Sequence, residues 1–169
     1  MLVLAGEQFA CVKIIGRANF GSSIDFRTLV TELRQKGYTF FVLDLSECTL
    51  MDSTFLGVLA GFGLKMTGTE KGGSEPAIEL LNPNARISEL LENLGVLHLF
   101  RVRQGVTAPP AGTETREHAP SNPPKDELQS ACLEAHQTLM DIDPANVPKF
   151  KDLTQFLSED LNKLKTGGR

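Results

Sequence analysis

The chain has 169 residues, with 17 Lys and Arg against 21 Asp and Glu, for a formal net charge of -4 at pH 7. That length holds one ordinary domain, or a domain of about 100 residues with an appendage, and excludes two large domains. Neutralising phosphates needs clustered basic side chains, and the sequence has no basic run, which argues against nucleic acid as a partner. The three cysteines, Cys11, Cys48 and Cys132, are far apart with no CxxC spacing. That pattern fits reduced thiols in a cytoplasmic protein. The first residues, "MLVLAGEQFACVKIIGR", lack a basic stretch before a continuous apolar one, and nowhere do about 18 uncharged apolar residues run together. Secretion and membrane insertion are therefore not expected.

"LVLA" (2–5) reads as an edge strand, and "FACVKIIG" (9–16) and "TFFVLDLS" (39–46) as buried strands rich in Phe, Val and Ile. "AIELL" (77–81) and "VLHLFRV" (96–102) read as further strands. Between them, Ser22 or Ser23 can cap a helix carrying Phe26, Leu29, Val30 and Leu33 on one face, with Gly37 at its stop. Asn82 and Pro83 open another, with Ile87, Leu90, Leu91 and Leu94 on one face and Gly95 at its end. Alternating strands and helices give an α/β domain with a mixed sheet of four to five strands, over residues 1–104.

Residues 105–125, "GVTAPPAGTETREHAPSNPPK", hold five prolines and almost no large apolar side chain. The stretch cannot bury a core and reads as a semi-extended linker. In residues 126–169, Leu128, Ala131, Cys132, Ala135 and Leu139 form one apolar stripe, and Phe150, Leu153, Phe156, Leu157, Leu161 and Leu164 form another. Asp143 and Pro144 suit a short turn between them. A two-helix hairpin of this size is not stable alone. It must dock on the first domain, on a second copy as a homodimer, or on a partner. One expected place is the helix that begins at Ser53, where the hairpin would compete with a partner.

"TLMDSTFLGVL" (49–59) puts an acidic residue and two hydroxyls at the mouth of an uncharged segment. If a helix begins near Ser53, the hydroxyls lie beyond the carboxyl end of a strand, where open α/β sheets place their sites. A plain helix cap would account for Asp52 or Ser53 alone. The helix, however, has Phe55, Val58, Leu59, Phe62 and Met66 on one face and Leu56, Gly57, Ala60, Gly63 and Leu64 on the other, with no charge before Lys65. A solvated helix would have a polar back. This one suits close association, within the domain or with a partner.

"VLDLSECTLMDSTFLGVL" (42–59), preceded by "IGRANF" (15–20) and followed by "LLNPNARISELLENLGVLHLFRV" (80–102), resembles the STAS domain family, and within it the bacterial anti-sigma factor antagonists. The resemblance implies a non-enzymatic, phosphorylation-controlled binding module without a cofactor. Its partners would be an anti-sigma factor that is also a serine kinase, and a serine phosphatase. Ser53 matches the phosphorylated serine, with Thr54 as the alternative acceptor. The partner surface would comprise Asp52, Ser53, Thr54, Leu56, Gly57 and Ala60. The family also includes accessory subunits of lipid-transport and other transporter ATPases, which is the alternative reading. The chain departs from the family pattern at "GRANF", where Asn19 can turn the chain and Phe20 can staple the following helix. Asp44 matches a family position near the phosphosite. A receiver-type phosphoacceptor role for it lacks the paired acidic residues and the later Lys. His98, His118 and His136 have no metal-ligand spacing, "DIDPAN" lacks the Gly and Glu of a calcium loop, and "GTEKGGSE" (68–75) reads as a flexible turn.

Overall fold

The computed structural model describes residues 1–5, 9–67, 77–105, 114–117 and 121–167. "GTEKGGSE", His118 and much of the proline-rich segment lie outside them. In chain order the elements are β1 (Leu2–Ala5), β2 (Phe9–Ala18), α1 (Phe20–Gln35), β3 (Phe40–Met51), α2 (Ser53–Thr67), β4 (Ile78–Leu81), α3 (Ala85–Asn93), β5 (Arg101–Arg103), β6 (Glu114–Glu117), α4 (Lys125–Ile142) and α5 (Val147–Gly167). Short 3-10 turns occupy Leu97–Leu99 and Pro144–Asn146.

The sheet is mixed, as expected, with strand order β5-β4-β3-β2-β1-β6. Strands β2 to β5 run parallel, and β1 is antiparallel to both β2 and β6. The sixth strand comes from within the segment read as linker: Glu114–Glu117 pairs with Leu2–Ala5. Its sequence carries no apolar signal, because edge pairing needs only backbone hydrogen bonds. The strand expected over 96–102 shrinks to Arg101–Arg103. Gly95, at a φ of 67°, ends α3, and the chain then makes a 3-10 turn that buries Leu99 and Phe100 as loop residues. Apolar content alone does not separate a buried turn from a buried strand.

Helix starts differ from the expected ones by a few residues. Asn19, not Ser22 or Ser23, caps α1: its Oδ1 accepts from Ser22 N at 3.2 Å, and Ser22 Oγ accepts from Asn19 N at 3.0 Å, a reciprocal capping box. Phe20 is the first residue of α1, after the cap rather than before it, and is 54% exposed. Asn84 caps α3 through Ile87 N at 2.9 Å, so the helix starts after Pro83. Asp143 caps the 3-10 turn as expected, accepting from Ala145 N at 3.0 Å.

The core lies between the sheet and its helices. Val12, Ile14, Leu43, Leu45, Ile78 and Leu80 from the strands meet Phe26, Phe55 and Leu59 from the helices. Phe26 and Phe55 bring α1 and α2 together with ring centroids 4.9 Å apart. The C-terminal hairpin packs on its own domain, with α4 lying along α2 and touching α1. Its second stripe is only half used: Leu157 and Leu161 are buried, whereas Leu153 and Phe156 are exposed.

Candidate functional site: the amino end of α2

Strands β2 and β3 run side by side to the same end of the sheet, and each turns directly into a helix. Register shifts between Lys13 and Ile15 and between Gly16 and Arg17 let β3 carry extra residues opposite β2. Asp44 Oδ1 secures the first irregularity by accepting from Ser46 N at 3.0 Å and from Ser46 Oγ at 2.6 Å. Gly16, at a φ of 83°, adopts a conformation that side chains resist. Its carbonyl accepts from Thr49 Oγ1 at 3.1 Å. This local geometry delivers Asp52 and Ser53 beside the start of α1.

Asp52 caps α2, its Oδ1 accepting from Phe55 N at 2.8 Å. Its Oδ2 accepts from Phe20 N, in the first turn of α1, at 2.7 Å. One carboxylate thus satisfies an orphan donor at each of two adjacent helix N-termini, where the macrodipoles also favour negative charge. Capping was expected of Asp52; its reach to a second helix was not, because that needs the two strand ends in register.

Ser53 is the first residue of α2 and is partly buried. Its Oγ lies 2.8 Å from Nε2 of His136 on α4. The other ring nitrogen, Nδ1, lies 2.7 Å from the Cys132 carbonyl oxygen. A carbonyl can only accept, so Nδ1 carries hydrogen, and in the neutral ring Nε2 accepts from the Ser53 hydroxyl. His136 is 1% exposed and its ring meets Phe150 of α5 edge-on, centroids 4.7 Å apart. The arrangement is a serine–histidine pair with no carboxylate behind the imidazole, sealed between helices. The pair forms a fixed contact between α2 and α4, with the imidazole oriented by the Cys132 carbonyl.

Thr54 is buried, with Oγ1 3.3 Å from the Cys132 thiol. Burial pushes the Cys132 thiol above its ordinary range, the nearby Asp52 charge acts in the same sense, and the Thr54 hydrogen bond opposes them. Leu56, Gly57 and Ala60 are buried as well. The glycines divide by neighbour. A Cβ on Gly57 would fall 2.7 Å from the carbonyl carbon and Cβ of Ala135, and one on Gly61 would touch Thr138 at 3.7 Å. Gly63 instead faces Phe100 and Leu99 at 3.3 and 3.6 Å. The uncharged back of α2 is therefore a seat for α4 along one line and core along another.

The hairpin is held elsewhere by polar contacts. Asn146, fully buried, donates through Nδ2 to the carbonyls of Leu94 at 2.9 Å and Leu139 at 2.8 Å. Lys149 Nζ donates to Asn93 O at 2.7 Å. Both serve carbonyls at the carboxyl end of α3 that have no partner in the helix. Arg27 pairs with Glu134 at 3.0 Å, and buried Asp25 accepts from Ser121 N at 3.2 Å and from its hydroxyl. The sequence discounted His136 as structural; only its position four residues after Cys132 on the apolar stripe of α4 hinted that it faces the domain. Around Asp52, Phe20 and Leu50 stay 54% and 40% exposed. Among the described residues no three His, Cys, Asp or Glu side chains form a metal-binding group, and no helix is long and apolar enough to cross a membrane.

A mixed sheet ending in paired strand-to-helix junctions, with Asp-Ser-Thr at the second, defines the class. The family model for the STAS domain matches residues 5–108, and the chain belongs to the STAS domain family. Among solved structures it resembles anti-sigma factor antagonists. A candidate antagonist from Thermotoga maritima is similar with a TM-score of 0.53 and 19% identity, over 62% of this chain and 85% of its own. The anti-sigma factor antagonist SpoIIAA in its unphosphorylated form matches at a TM-score of 0.45 and 17% identity, over 54% of this chain and 80% of its own. The phosphorylated form of SpoIIAA, described as a Bacillus cell fate determinant, matches at 0.48 and 16%, over 61% and 91%. Such identities speak to the fold alone. Among curated proteins none matches significantly.

Proposed function

We propose that this chain is a non-enzymatic regulatory binding module of the anti-sigma factor antagonist kind, cytoplasmic and toggled at Ser53. A partner that is both anti-sigma factor and serine kinase docks on the amino half of α2, through the partly buried Asp52 and Ser53 and, once α4 has moved away, through Thr54, Leu56, Gly57 and Ala60, which are buried while it is docked, and phosphorylates Ser53. A serine phosphatase restores the hydroxyl. The observation that carries this reading is the position of Ser53: the first residue of α2, next to a capping Asp52, at the carboxyl end of β3 in a STAS domain.

The chemistry supports it. A phosphoserine carries roughly -1.5 to -2 charge at pH 7. The helix amino end tolerates that charge through its N–H groups and dipole. A partner surface fitted to a neutral hydroxyl and an apolar helix does not. Phe20 and Leu50, exposed at the same end of the sheet, supply apolar surface that the hairpin leaves open. Thr54 is the poorer acceptor because it is buried.

The test uses the full chain with Ser53, Ser53→Ala or Ser53→Asp as bait in extracts of its native host. A kinase-like partner should be retained by the first two and lost with Ser53→Asp. Retention by all three would sink the proposed switch. Recovery of a transporter ATPase instead, with no kinase, would favour the accessory-subunit alternative.

A further inference from the structure

We propose that the C-terminal hairpin gates Ser53: a phosphoryl group on Ser53 and α4 seated on α2 exclude one another. Such a gate rests on the reading of Ser53 as acceptor and adds to it a closed state, unmodified yet unable to bind, from which the hairpin must lift before kinase or partner can reach the hydroxyl.

Three features support the exclusion. First, Ser53 Oγ is already engaged with His136 Nε2 at 2.8 Å, and the imidazole is fixed from behind by the Cys132 carbonyl at 2.7 Å. Second, α4 cannot shift to make room while it stays seated. Gly57 meets the Ala135 backbone so closely that a single added carbon would overlap it, and well-packed contacts of this kind leave no space for three further oxygens. Third, the charge has poor company. The Asp52 carboxylate adjoins Ser53, and α4 presents Ala131, Cys132, Ala135 and His136 toward α2, with the Cys132 thiol held protonated by burial. Glu134, the acidic side chain of that stretch of α4, pairs with Arg27 at 3.0 Å.

The hairpin is also built to come away. Among the described hairpin side chains, Leu139 belongs to the domain's large apolar cluster, with Ile142 and Phe150 at its margin, while the buried Ala131, Ala135 and His136 are small or polar. Its polar attachments include His136 with Ser53, Cys132 with Thr54, Asn146 and Lys149 with the end of α3, and Glu134 with Arg27. A cleft of about 190 Å³, walled by Arg34 and Lys65 on one side and Thr138 on the other, leaves part of the α4 seam unfilled.

Phosphoryl transfer makes the order of events explicit. The bond from the γ-phosphorus to the β–γ bridging oxygen of a kinase-bound nucleoside triphosphate breaks, and the bond to Ser53 Oγ forms. The nucleoside diphosphate leaves and the hydroxyl proton passes to a base on the kinase or to water. In the closed state that proton points at Nε2 of His136, with α4 in the approach path. Lifting the hairpin must therefore come first, and the phosphate then keeps it lifted.

The test needs no cognate kinase. Phosphoserine is placed at position 53 of the full chain by genetic encoding, and amide hydrogen exchange is compared with the unmodified chain and with a chain bearing phosphoserine at Ser158, exposed on α5. The account expects amides of α4 and α5 to exchange at least about tenfold faster in the Ser53-modified chain alone, with β3 still protected. Unchanged exchange, or slower exchange from an imidazolium–phosphate pair, would overturn the gate. Should the phosphoserine chain lose protection in β3 as well, Ser53→Asp and Ser53→Ala decide. The Asp variant must loosen the hairpin more than the Ala variant, which only deletes the contact with His136, and equal effects would overturn the exclusion. Failure here leaves the acceptor role of Ser53 standing, whereas failure to find a partner sensitive to Ser53→Asp leaves this exclusion measurable.

Discussion

Asp52 Oδ2 accepts the backbone N–H of Phe20 at 2.7 Å, a bond that spans 32 positions and ties the amino end of α1 to that of α2. The junction that presents Ser53 is therefore a rigid double helix start, not a loose loop. Replacing Asp52 by Ala removes the α2 cap and this second bond together, and should cost about 2–3 kcal/mol. Asp52→Asn, which keeps an acceptor oxygen, should cost less. Urea unfolding of the two variants measures the difference, and a negligible loss in Asp52→Ala would mean that the two bonds are not energetically important.

Asn146 joins the hairpin turn to the end of α3 through Leu94 O and to α4 through Leu139 O. Its replacement by Ala takes the side-chain donor from buried Leu94 O, while Leu139 O keeps the Asp143 N–H at 3.2 Å, and should destabilise the docked hairpin by about 1–3 kcal/mol. The exposed Lys149, although it bonds Asn93 O, should matter less when truncated, because water replaces it. Hydrogen exchange of α4 and α5 would register the ordering.

Gly57→Ala sets two effects against each other. Within α2 alone, Ala is favoured over Gly by about 1 kcal/mol. Against Ala135 the new methyl is overpacked, at about 1–3 kcal/mol. The expected outcome is a loosened α4 above an α2 that stays at least as protected as before. Unaltered exchange in α4 would show that the close contact is not what seats it.

Stability should fall on the alkaline side. Burial, helped by the Asp44 charge and opposed by Lys13, pushes the Cys11 thiol from 9.0 up to about 11. Cys48 and Cys132 shift in the same direction, mainly through burial. Below pH 9 these thiols are neutral in both states and their contribution is intact. Above it the unfolded chain releases its protons first, so the contribution shrinks as pH rises towards 11 and through it. Cys11→Ala should flatten part of that slope when urea midpoints are compared across the alkaline range.

Much of this was legible in the sequence, for physical reasons that differ by element. The strands β2 and β3 and the helix α1 announce themselves because burial imposes a period on apolar residues such as Val12, Ile14, Phe26 and Leu33. The Asp-Ser-Thr junction is legible because caps are local chemistry. Strand β6 is not, since the pairing of Glu114–Glu117 with Leu2–Ala5 is made through backbone groups and leaves no apolar period in the sequence. Nor is the Ser53–His136 contact, which joins positions 83 apart. The glycines of α2 hinted at close approach, but which neighbour Gly57 meets and which Gly63 meets is decided by tertiary structure.

The most direct measurement of the central claim is mass spectrometry of the protein drawn from its native host with phosphatases inhibited, across growth and stress conditions. Phosphate on Ser53 that rises and falls with condition, together with a kinase-like anti-sigma factor bound to the unphosphorylated chain, is the predicted result. A Ser53 that stays unmodified throughout would contradict the account and reduce the hydroxyl to a helix-start contact with His136.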